Sequence, residues 1–179
     1  MQVAAGDAPP VDQIIVPAGS ICTSAGLLAG VQLAAACGLG PARAPTIIAV
    51  RVTPWPVTAR ARIAMLANAT LRRLDGLVSL PRRIDVGALW RGLIVDGRFQ
   101  GAGYGHPTAV ARAAAATLAA AGSPPLDDVY ASKAGAALLA RRDPGVTVFW
   151  ATKSSAPLPT PTEADLARLP PALARWIIR

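Results

Sequence analysis

The sequence predicts an α/β fold in three layers, with a mostly parallel sheet between helices. Three observations carry this reading. Short β-branched or apolar runs recur along the chain, at Gln13–Val16, Thr46–Val52, Leu93–Val95 and Val146–Trp150. Stretches of helical length, Ala-rich or amphipathic, separate them. The second run is largely apolar rather than alternating, as a parallel strand covered on both faces must be. A chain of 179 residues is near the size of one domain with a single core.

Taken in order, Gln13–Val16 is a buried strand ended by Pro17. A turn of small residues follows, and Ser24–Cys37 is a helix stopped by Gly38 and Gly40. Gly26 and Gly30 on that helix are expected to permit close packing against a strand. Thr46–Val52 is the next strand, and Pro54–Trp55–Pro56 a rigid turn. Val57–Leu74 is helical, with Ile63, Leu66, Leu71 and Leu74 on one side and most of its Arg residues on the other. Asp75–Trp90 is ambiguous, because Pro81 and Gly87 interrupt it. Leu93–Val95 is a short strand, and Gly101–Gly105 a flexible loop. Pro107 sits near the first turn of a helix reaching Ala121. Ser132 is expected to cap a helix running to Arg142, and Val146–Trp150 is the last strand. Beyond Lys153 the chain is Pro-rich, with one short helix from Thr162.

Composition narrows the function. A chain that is 53% hydrophobic and 16% charged is not disordered. With 4% aromatic residues and 39 Ala, small side chains must fill the core. The net charge of +8 comes from 16 Arg and only two Lys. The basic residues never run longer than two and have no interleaved aromatics, so they read as a solvated surface and not as a nucleic-acid interface. Cys22, Cys37 and the single His106 make neither a disulfide scaffold nor a zinc site, so no metal is expected. The uncharged stretch Gln13–Ala42 has a clean apolar part of only 13 residues, Ala25–Cys37, which suits a core helix rather than a bilayer crossing. Met1–Gln13 carries no secretory pattern, and a cytoplasmic location is the expectation.

Ligands of parallel sheets bind outside the carboxyl ends of the strands. The strongest local pattern there is strand, then Ala18-Gly19-Ser20-Ile21-Cys22-Thr23-Ser24, then helix. Gly19 allows a sharp turn, Ser20 and Thr23 offer hydroxyls, and the helix dipole adds partial positive charge. A phosphate or carboxylate could be held there without a Lys; the alternative is a capped helix with no ligand. No Gly-Lys-Ser/Thr follows, which excludes a P-loop. A dinucleotide fingerprint fits badly, since Arg51 stands where an acidic residue would end the second strand. Tyr104 and Tyr130 are the only phenols; each could stack, hydrogen-bond or move a proton. The 26 residues between them span one helix, which can return the chain to the same cleft.

Five segments in register resemble the pyridoxal-phosphate enzymes of the tryptophan-synthase β type (fold type II), and more narrowly the 1-aminocyclopropane-1-carboxylate deaminase / D-cysteine desulfhydrase family. They are IIVPAGSICTSAGLLAG (Ile14–Gly30), VRVTPWPVTARARI (Val50–Ile63), GAGYGHPT (Gly101–Thr108), LDDVYASKAGAALL (Leu126–Leu139) and VTVFWATKS (Val146–Ser154). The resemblance implies that residues 1–156 are the C-terminal part of a cofactor-binding large domain, followed by a Pro-rich tail, 157–179. It implies that Gly19, Ser20, Ile21, Cys22 and Thr23 surround the phosphate of pyridoxal 5′-phosphate. Tyr104 and Tyr130 would be the active-site phenols, Tyr130 near the substrate α-carbon, and Thr152 would lie near the pyridine nitrogen.

The chain also departs from the family. Cys22 replaces a Gly, Asp128 a Pro, Ala131 a Glu or Thr, and Ser132 a Gly. Ala151, Lys153 and Ser154 replace the His and two Gly around Thr152. The Lys that binds the cofactor covalently belongs to an N-terminal half that this chain does not match, and neither Lys133 nor Lys153 takes its place. The implied activity is a deaminase or desulfhydrase-type lyase acting on a small amino acid, working as a homodimer or with a Lys-bearing N-terminal segment. The rival readings are a non-catalytic module binding an anion or the cofactor, and a nicotinamide-dependent oxidoreductase.

Overall fold

Four strands run in one direction in a single sheet. The computed structural model describes residues 9–81, 83–152, 160–171 and 173. Its elements are β1 (Gln13–Ala18), α1 (Cys22–Ala36), β2 (Thr46–Arg51), α2 (Arg60–Val78), α3 (Val86–Arg91), β3 (Leu93–Asp96), α4 (Ala109–Ala120), α5 (Ala131–Ala140), β4 (Thr147–Phe149) and α6 (Glu163–Ala167). The strand order is β3-β2-β1-β4. Ile14 pairs with Ile47 and Val148, and Ile48 with Ile94. Strands β1 and β2 are central, which is why their interiors, Ile14–Ala18 and Ile47–Val50, are apolar and buried.

Pro17 does not end β1; the strand continues to Ala18. Residues 13 and 15 bond toward β4, through Gln13 N–H to the Val146 carbonyl and Trp150 N–H to the Ile15 carbonyl. Pro17 faces the same side by the two-residue period, past the end of β4, so its missing N–H breaks no ladder bond.

Helices cover both faces of the sheet. On one face Ile14, Val16, Ile47 and Ala49 pack with Leu28 of α1, Ile63 and Leu71 of α2, and Leu89 of α3. On the other, Ile15, Ile48 and Val50 pack with Ala134 and Ala137 of α5. Each fully buried Ile or Leu contributes about 1.5–3 kcal/mol. The α4–α5 pair packs tightly: a Cβ on Gly135 would come within 2.9 Å of Leu118 Cδ1.

Several sequence expectations are corrected. Helix α1 begins at Cys22, two residues early, because Ile21 turns the chain. Helix α2 begins at Arg60, since the two prolines hold Val57–Ala59 in turns. Gly26 and Gly30 face solvent with nothing near them; the packing face of α1 is Ala25, Leu28 and Ala29. Ser132 caps nothing; its hydroxyl is buried without a partner. The ambiguous Asp75–Trp90 contains α3. Thr162 does cap α6, in a capping box with Asp165. Among the described residues no helix is long and apolar enough to cross a membrane.

Candidate functional site at the carboxyl ends of β1 and β4

From β1 the chain moves outward to β2 and β3, then returns to place β4 on the other side of β1. The reversal leaves a crevice beyond the carboxyl ends of β1 and β4, where parallel sheets bind ligands. A cavity of about 100 Å³ lies there, lined by Pro17, Ala18, Gly19, Ser20, Ile21, Thr23, Ser24, Tyr130 and Thr152. Hollows of about 360–490 Å³ elsewhere are larger, but they lie beside α2, at the opposite ends of the strands, between α1 and α3, and on the α2 side of the Ser20–Ile21 turn, away from β4. Topology favours the smaller one.

Local sequence chemistry builds its floor. Gly19 is buried, and its carbonyl accepts a 3.1 Å hydrogen bond from the Thr53 hydroxyl, which ties the turn to β2. A Cβ at Gly19 would lie 2.7 Å from Tyr130 Cε1, so only Gly admits the ring. Ile21 caps α1 in the left-handed region, at φ 67°. That conformation costs a β-branched residue about 1–2 kcal/mol, and the buried Ile21 side chain, part of the core, offsets it. The turn leaves the N–H groups of Cys22, Thr23 and Ser24 without partners inside the helix, at the positive end of its dipole.

Ser24 was not singled out from sequence. It is fully buried, lines the cavity, and its hydroxyl has no partner within the protein. An unpaired buried hydroxyl costs about 1–3 kcal/mol. Ser24→Ala should therefore stabilise the free protein by about 1 kcal/mol while weakening phosphate binding about tenfold. Thermal melts and phosphate titration check both signs. A stability loss with unchanged affinity would contradict the assignment.

Of the sequence-nominated residues, Gly19, Ser20, Ile21, Thr23, Tyr130 and Thr152 line this cavity. Cys22 does not: its thiol is exposed and directed at the Ser20 carbonyl, 3.7 Å away. Tyr104 does not line the cavity; it is half-exposed and accepts a 3.1 Å hydrogen bond from the Tyr130 hydroxyl. The rings meet edge to face, centroids 5.9 Å apart. That bond and partial burial push the Tyr130 phenol up to about 12, so Tyr130 keeps its proton and acts as a donor. Lys153 and Ser154 lie outside the described residues.

Three further residues shape the site. Asp127 accepts from the N–H groups of Val129, Tyr130 and Ala131 at 3.0, 2.7 and 3.1 Å, and so fixes the start of α5 and the Tyr130 backbone. Lys133 is fully buried and donates to the carbonyls of Gln100 and Gly103 at 2.7 and 3.0 Å. Burial pulls its ammonium below the usual Lys range. Asp96, at the end of β3, is buried and doubly bonded to Arg98, whose guanidinium holds the carboxyl below its ordinary 3.8. A depressed folded value means this pair stabilises the fold above pH 3.8 and is lost as pH falls below it. Asp96→Asn should therefore lower melting temperature at pH 7 and narrow its gap to wild type on acidification to pH 2. A gap that stays constant would refute the pairing.

Among the described residues, no group of three His, Cys, Asp or Glu side chains could hold a metal ion. No protein-family model matches the chain, and no curated protein matches it.

Proposed function

We propose that this chain provides the phosphate cradle and paired phenols of a fold-type-II pyridoxal-phosphate lyase acting on a small amino acid of the 1-aminocyclopropane-1-carboxylate or D-cysteine class. The observation that carries the reading is the buried, unpaired Ser24 hydroxyl lining a cavity at the N-terminus of α1, at the reversal point of the sheet. The residues present fit the phosphate end of the cofactor: three free N–H groups, the Ser20, Thr23 and Ser24 hydroxyls, and a helix dipole. A cavity of about 100 Å³ has room for a phosphate and not for a whole cofactor.

When bound, pyridoxal phosphate supplies an electron sink for a carbanion. This chain's residues bind and orient. The cradle anchors the phosphate, Thr152 borders it from β4, and Tyr130 forms one wall. Tyr130 holds its proton toward the hydroxyl of the half-exposed Tyr104.

Lys133 does not fit the covalent role, because its ammonium is buried and engaged with two carbonyls. The proposed partner is therefore a Lys-bearing segment or second chain. The same observation favours the alternative of a non-catalytic module binding the cofactor or another anion. Against a nicotinamide site, Arg51 ends β2 and donates to the Thr58 hydroxyl at 3.0 Å.

Borohydride reduction with pyridoxal phosphate, followed by peptide mapping, separates these roles. The expected result is reversible binding with no stoichiometric label on Lys133 or Lys153. A single label on either Lys, with amino-acid turnover by this chain alone, would overturn the assignment. Protection by NAD without pyridoxal-phosphate binding would favour the oxidoreductase.

A further inference from the structure

We propose that Lys133 is a positioning residue: its buried ammonium grips the 97–105 loop and sets the Tyr104 hydroxyl where Tyr130 can donate to it. Arg98, bonded to Asp96, and Phe99, packed against the core, hold the start of this loop, but its Gly-rich part has little to hold it by itself. Gly101, Gly103 and Gly105 all have left-handed φ values, 66°, 135° and 80°. Its backbone bonds, Gln100 N–H to Gly97 and His106 N–H to Gly103, are both long at 3.4 Å. An unclamped segment of this composition would sample many conformations.

Lys133 supplies the clamp from α5, donating to the carbonyls of Gln100 and Gly103, the latter immediately before Tyr104. An ammonium is costly to bury, and both of its bonds go to this loop. Tyr130 caps the same helix three residues earlier. One rigid element therefore fixes both ends of the phenol–phenol bond: Tyr130 directly and Tyr104 through the loop. Helix geometry places positions three apart on the same face. The clamp's role in a reaction rests on the pyridoxal-phosphate reading; the clamp itself does not.

The test uses the full chain without cofactor, so its outcome is separate from that of the cofactor reading. Tyrosine labelled with ¹³C at Cζ reports each phenol's ionisation by NMR at pH 11. With a Tyr130 value of about 12, about one tenth of it is ionised there. Lys133→Met keeps the apolar stem and removes the donors. It should raise the ionised fraction several-fold, toward about nine tenths, as a phenol near 10 would give. Tyr104→Phe gives the reference for Tyr130 without its partner, and the double variant should match it. A folded Lys133→Met protein with wild-type ionisation overturns the proposal. If that variant does not fold, Lys133→Gln decides, since it keeps a polar donor on α5 but is too short to reach both carbonyls. A several-fold rise then supports the clamp, and an unchanged fraction overturns it.

Discussion

Gly19→Ala should weaken phosphate binding at least about tenfold and destabilise the chain by about 1–3 kcal/mol, the usual cost of overpacking. Its added Cβ would lie 2.7 Å from Tyr130 Cε1 and 3.1 Å from the hydroxyl, distances that real contacts do not sustain. The ring must move, and with it one wall of the cavity and the bond to Tyr104. The Gly19 carbonyl is held by Thr53, which limits how far the turn can yield instead. The clash should show as coupling. Gly19→Ala combined with Tyr130→Ala should cost less stability than the sum of the single changes, by about 1 kcal/mol or more. Additive denaturation free energies would mean that the ring does not sit over Gly19.

Asp127→Ala carries the second large effect, a loss of about 2–4 kcal/mol. Three backbone N–H groups lose a charged acceptor at the start of a buried helix, where caps contribute up to about 2 kcal/mol and charge-assisted bonds about 1.5–3 kcal/mol. For a domain of this size that is a fall of about 10 °C in melting temperature. Asp127→Asn keeps one carbonyl acceptor, and the Val129 and Tyr130 donors share Oδ1, so it should lose about half as much. Equal losses for Ala and Asn would assign the effect to charge alone, and no loss for Ala would remove Asp127 from the account.

The sheet was legible because its information is local. Ile14–Val16 and Ile47–Val50 are apolar on both faces, the pattern of a central parallel strand. Thr162 was legible as a cap for the same reason: its partner, Asp165, is three residues away. The failures share a cause. Ser132 resembles a cap by type and position, yet α5 is buried along residues 131–137 and its start is held by Asp127, four residues earlier. Lys133 in an Ala-rich helix reads as a surface charge, and only the fold brings it the carbonyls of Gln100 and Gly103. Gly26 and Gly30 read as a packing stripe, while the phase of α1, set by the turn at Ile21, points them to solvent.

At the site, the cradle was legible as strand, small-residue turn and helix, and the two phenols as ends of one helical excursion. The hydroxyl carrying the reading belongs to Ser24, the last residue of that turn pattern, whose role the pattern alone does not assign. Its sequence signal was its place as the third residue of α1, on the same turn as Thr23; its burial depends on packing that no local pattern encodes.

The most direct test of the account compares pyridoxal phosphate with pyridoxal, with inorganic phosphate as competitor, by equilibrium dialysis against the whole chain. If the α1 N-terminus is a phosphate cradle, pyridoxal phosphate binds one site and phosphate displaces it. Pyridoxal should then bind at least about a hundredfold more weakly, a difference of about 2.7 kcal/mol that two hydrogen bonds to a charged group can supply. Equal affinity for the two vitamers, or pyridoxal-phosphate binding that neither phosphate nor Ser24→Ala disturbs, would contradict it.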